Sequence, residues 1–134
     1  MTLFTEGAIE ALILAGSKDE AAQLYPIIAD FVQQDIGKFA FTTGLHERFA
    51  GMAAAAAGDW DDAERHFKHA LHVLDDERPH RVDQARVRYW YARMLLDRRQ
   101  SGDGEQAQAL FGEARSLSDA MGIHGLIRRI DTLT

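Results

Sequence analysis

The chain has 134 residues, 46% of them apolar and 27% charged, enough to bury one core but hardly two. With 21 acidic against 15 basic residues its net charge is −6, which argues against nucleic acid as the main ligand, because phosphate backbones are repelled at long range. Cysteine is absent, so there is no disulfide framework, thiolate metal site or cysteine nucleophile, and no run approaches the ~18 apolar residues of a membrane span.

The first residues, Met1 to Glu6, lack the basic start and apolar middle of a secretory leader, and the expected compartment is the cytosol. Leu3, Phe4, Ala8, Ala11, Leu12 and Ala15 predict a helix over 3–15. Gly16 then precedes Ser17, which forms a capping box with Glu20 and predicts a second helix over 18–34. Pro26 inside it should kink it or delay its start. The segment from Asp35 to Gly44 is expected to be the longest and most mobile connection.

Leu45, Phe49, Met52, Ala53 and Ala56 make one stripe of a helix over 43–57, and the alanine run 53–57 favours helix as well. Gly58 and Asp59 open the next helix, 60–77. Pro79 suits the first turn of a helix over 80–100. That helix carries two apolar stripes, Val82-Ala85-Tyr89-Ala92-Leu96 and Val87-Tyr91-Met94-Leu95, so it should be sandwiched or offer one side to a ligand. Gly102 and Asp103, with Gln106, predict a helix over 104–121. Ile123, Leu126, Ile127 and Ile130 give a closing helix, 123–132, one apolar face.

A fixed pattern unites these elements. Gly16-Ala21-Tyr25-Ile28, Gly58-Ala63-Phe67-Ala70 and Gly102-Ala107-Phe111-Ala114 repeat the same spacing, with the alanines 42 and 44 residues apart. Each glycine precedes a capping residue, so three helices should start at equivalent points. Self-similarity at a fixed period marks a stack of helix pairs, here 3–34, 43–77 and 80–121, within one domain spanning 1–134.

The run Gly-Asp-Trp-Asp-Asp-Ala-Glu-Arg-His-Phe-Lys-His-Ala-Leu at 58–71, with Gly51 seven residues before it, resembles the second half of a tetratricopeptide repeat. The longer spacing departs from the usual ~34 residues, and Glu47 stands where a large aromatic is usual. The third unit is similar to the long-repeat helical regions of large bacterial signalling and transcriptional regulators. The resemblance implies an all-α right-handed superhelix of three antiparallel helix pairs with a C-terminal capping helix. It also implies a concave groove lined by the first helix of each pair. Carried over, that groove receives Leu45, Arg48, Met52 and Ala55 from the middle unit and Tyr89, Ala92, Leu96 and Arg99 from the third.

The function expected from this is a protein-interaction or scaffold module without catalytic activity, cofactor or metal. Its partner is a protein or peptide, with no nucleic acid and no membrane, and self-association through the open ends is compatible. Arg78, Arg81, Arg86, Arg88, Arg93, Arg98 and Arg99 could receive an acidic partner, though pairing with Asp75, Asp76, Glu77, Asp103, Glu105 and Glu113 is the simpler reading. The alternative function is a small-molecule sensor segment holding its ligand with Tyr89, Trp90 and nearby arginines. His66, His69 and His72 have metal-ligand residue type, but steps of three drift around a helix, and a polar flank is the simpler reading. Asparagine is absent, so the asparagine-containing carboxylate clamp of chaperone-binding relatives cannot be present as such.

Overall fold

The computed structural model describes residues 3–27, 29, 40–77 and 80–133. Every element among them is helical: α1 (Leu3–Leu14), α2 (Lys18–Gln23), α3 (Ala40–Ala56), α4 (Trp60–His72), α5 (Arg81–Arg98), α6 (Asp103–Met121) and α7 (His124–Leu133). α4 runs on into a wider π-helical turn, Val73–Glu77, whose Leu74 carbonyl accepts from Gln84 Nε2 at 2.9 Å. None of these helices is long and apolar enough to cross a membrane.

The recurring glycines do what their position implies. Gly16 and Gly58 hold φ of 84° and 77°, and each ends a helix in a Schellman turn. Ser17 N–H donates to Leu12 O at 2.8 Å and Asp59 N–H to Ala54 O at 2.9 Å. The third turn is built differently. α5 ends with Arg99 itself in the left-handed region at φ 59°, and Gly102, φ 85°, becomes the cap of α6.

Capping departs from the expectation. Ser17 and Asp59 occupy N-cap positions, but neither side chain makes a cap hydrogen bond. Their ψ values, 59° and 77°, fall short of the extended backbone from which a cap oxygen turns back to the first free N–H groups. Asp103 lies inside the first turn of α6, and its carboxylate accepts from Arg98 and from Gln100 N–H.

Boundaries shift for local reasons. α2 stops at Gln23, because Pro26 cannot donate a fourth-neighbour bond to Ala22. Helical backbone resumes at 25–27 and 29, and 30–39 lie outside the described residues. Ala40 to Gly44, expected in a connection, are the first turn of α3. Pro79 lies outside the described residues.

α3 packs on α4 and α5 on α6 as the main helix pairs, while α1 touches both α2 and α3, and α3 also touches α5. One continuous core results, from Ile9 of α1 through Phe49, Phe67, Tyr91 and Phe111 to Leu126 and Ile130 of α7. Phe67 stacks on Tyr91 with ring centres 5.6 Å apart. α7 covers α6 with Leu126 and Ile130, the face assigned to it from sequence.

Candidate functional site

α1, α3 and α5 meet along one side of the molecule and leave a crevice between them. Ile13 of α1 and Lys18 at the start of α2 form one wall, and Met52, Ala55 and Ala56 of α3 form the floor. Trp90, Arg93, Met94 and Asp97 of α5 form the opposite wall, with Phe67 reaching in from α4. The enclosed space is about 20 Å³, room for about one water molecule.

Long-range ion pairs join helices far apart in sequence. Lys18 Nζ meets Asp97 Oδ2 at 3.2 Å, joining α2 to α5. Arg129 of α7 reaches Glu10 of α1 at 3.5 Å. Arg93 lies over the Trp90 ring, 4.8 Å from its centre, and its Nη1 donates to Tyr89 Oη at 3.5 Å.

Of the residues assigned to the groove from sequence, Met52 and Ala55 line this crevice. Arg48 is buried, pairs with Asp83 at 3.4 Å and lies over the Phe49 ring. Tyr89 is also buried, against Trp90 and Phe111, and Ala92 is in the core. Leu96 packs half-buried against that core, and Arg99 is exposed at the end of α5. The Leu45 side chain lies outside the described residues. On α5 the crevice therefore falls on Trp90, Arg93 and Asp97, one residue along from Tyr89, Ala92 and Leu96. The signal was there in the sequence. An aromatic, an arginine and an aspartate at these spacings share one helix face.

A second polar cluster ties Tyr25, just beyond α2, to α3 and α4. Glu47 of α3 is 3% exposed and bonds two histidines of α4: His66 Nδ1 at 2.5 Å and His69 Nδ1 at 2.7 Å. His66 Nε2 lies 3.0 Å from the Tyr25 hydroxyl, which also bonds Asp62 at 3.1 Å. Burial opposes ionisation of Glu47, yet the bonds from His66 and His69 hold its carboxyl below the usual range. Arg65 and then Tyr25 do the same for Asp62. Burial, reinforced by Asp62, pushes Tyr25 up to about 12. Tyr25 has one proton for two contacts. It can go to Asp62 or to His66 Nε2, but not to both.

His72, the third histidine of the row, turns to Asp76 at 3.0 Å. Among the described residues no group of three or more histidines and carboxylates is arranged to hold a metal ion. The sequence flagged Glu47 only as a departure from a repeat pattern. Its partners could have been guessed from a buried-position acid facing a histidine-rich helix.

Most of the arginine run divides between internal pairing and exposure. Arg88 holds Asp75 and Glu113 at 2.7 and 2.6 Å. Arg98 holds Glu64 and Asp103 at 2.9 and 2.7 Å, and Glu64 accepts in turn from Tyr91 at 2.8 Å. Asp103 and then Glu64 strengthen the Arg98 charge, and burial with Glu64 pushes the Tyr91 phenol up. Arg81, Arg86 and Arg99 are exposed, and Arg78 lies outside the described residues.

No protein-family model matches the chain, and comparisons with curated proteins and with solved structures returned no match.

Proposed function

We propose that the chain is a tetratricopeptide-like docking module, a stack of three helix pairs with a capping helix, whose crevice holds a segment of a partner protein. The observation that carries this reading is the crevice itself. One helix from each pair contributes to it, and it combines aliphatic floor, a tryptophan and an arginine, the side-chain types that dominate binding energy at protein interfaces. Positive-φ glycines at the ends of the first helices of the first and middle pairs, together with packing of first helix on first helix, support the repeat assignment. The resemblance to long-repeat regions of bacterial regulators supports a role in a regulatory assembly.

The rival reading, a small-molecule sensor, has less in its favour. A metabolite site encloses most of its ligand, in some ~300 Å³ or more, whereas a partner segment can lie across the mouth and part its walls with a single side chain.

The test is peptide selection against the folded chain, followed by one substitution in the floor. Peptides that bind should lose affinity at least about tenfold when Ala55→Arg fills the crevice. Equal binding by that variant, with an unchanged urea midpoint, would refute the docking reading.

A further inference from the structure

The mouth of the crevice carries two cations and one carboxylate. Lys18 and Asp97 neutralise each other at 3.2 Å, with side chains 50% and 45% exposed. Arg93 has no carboxylate partner among the described residues; its contacts are the faces of Trp90 and Tyr89 and the Tyr89 hydroxyl. Arg88 and Arg98 of the same helix each grip two acids. A guanidinium stacked on an indole keeps in-plane N–H groups with which to fork a carboxylate. Among the described residues, no carboxylate besides Asp97 lines the crevice.

We propose that the crevice takes an acidic partner segment, with Asp97 as a built-in competitor for it. One carboxylate of the segment replaces Asp97 on Lys18 and another reaches Arg93, while an intervening apolar side chain enters over Met52, Ala55 and Met94. The exchange explains why so small a space is a docking site. The pair that spans the mouth is the pair the partner separates, and an exposed ion pair is weak enough to be separated. The inference rests on the docking reading above and adds the partner's chemistry to it.

The opposite charge signs of Lys18 and Asp97 make the proposal sharp. Removing Asp97 should help the partner, and removing Lys18 should hurt it. The probe is a capped peptide alternating aspartate and leucine, compared with its asparagine–leucine and lysine–leucine counterparts. Binding is read from the indole N–H signal of Trp90 by NMR. The aspartate peptide should shift that signal. Asp97→Asn should tighten its binding about two- to fivefold, the release of one exposed ion pair. Lys18→Gln and Arg93→Gln should each weaken it about tenfold, as charge-assisted bonds are lost. Urea midpoints of all three variants guard against misfolding. If the asparagine peptide binds as well as the aspartate one, or the lysine peptide better, the acidic partner is wrong and the docking reading stands. Unchanged affinity in Asp97→Asn overturns the competition. No shift with any of the three peptides counts against both proposals.

Discussion

Gly51 of α3 lies directly beneath the ring of Phe67 of α4: a Cβ placed on Gly51 would be 2.9 Å from two ring carbons. Phe67 is the aromatic of the Gly58-Ala63-Phe67-Ala70 pattern. It cannot retreat, being 1% exposed and stacked on Tyr91. Gly51→Ala should therefore cost about 1–3 kcal/mol, a typical price of overpacking. The check is urea unfolding, where the midpoint should fall with an unchanged slope. An unchanged midpoint would mean that the ring yields freely.

The Glu47 cluster makes stability depend on acid. Glu47, Asp62, Glu64 and Asp103 all have carboxyls held below their ordinary values near 4.5 for Glu and 3.8 for Asp. A depressed carboxyl contributes stability above its unfolded value, and that stability disappears as pH falls through the lower folded value. Glu47→Gln replaces two acceptor oxygens with one acceptor and one amide donor, so one of the two imidazole N–H groups faces another donor. At pH 7 the loss should be about 2–3 kcal/mol. The gap between wild type and variant should narrow as pH falls below 4.5 and the wild-type carboxyl takes up its proton. Parallel stability curves across pH 3–7 would contradict the role given to Glu47.

Tyr25, just beyond α2, hydrogen-bonds to Asp62 and His66 of α4. Tyr25→Phe leaves His66 Nε2 without its phenol partner and should cost about 1–3 kcal/mol. Hydrogen exchange should show α2 amides losing protection more than those of α6, since the link is local. At the alkaline end the sign reverses. With a folded value near 12 against an ordinary 10, Tyr25 loses its stabilising contribution as pH rises across that interval. The phenylalanine variant should show a shallower decline there.

Arg99 holds a left-handed backbone that glycine adopts without strain, at φ 59°. Arg99→Gly should stabilise the fold by up to about 1 kcal/mol, measured as a higher urea midpoint. It should leave peptide binding unchanged, because Arg99 does not line the crevice.

Much of the architecture could be read from local rules, because glycine, capping and periodicity act over a few residues. The starts of α4 and α6, the closing face of α7 and the seam between Gly51 and Phe67 all follow from such short-range patterns. The site was harder. On α5 both faces are apolar, so periodicity could not say whether Tyr89 or Trp90 turns toward α3. Packing of Tyr89 against Phe111 of α6 decided it, and that contact spans 22 positions of sequence. Likewise Lys18 and Asp97, or Glu10 and Arg129, come together only through the packing of helices far apart in sequence.

The proposed function requires that a partner dock across α1, α3 and α5. The most direct measurement is the NMR footprint of a selected peptide on the isotopically labelled chain. The largest shifts should fall at Ile13, Met52, Ala55, Met94 and the Trp90 indole, with Lys18 and Asp97 moving at the mouth. A footprint on α6 and α7, with those signals unmoved, would contradict it.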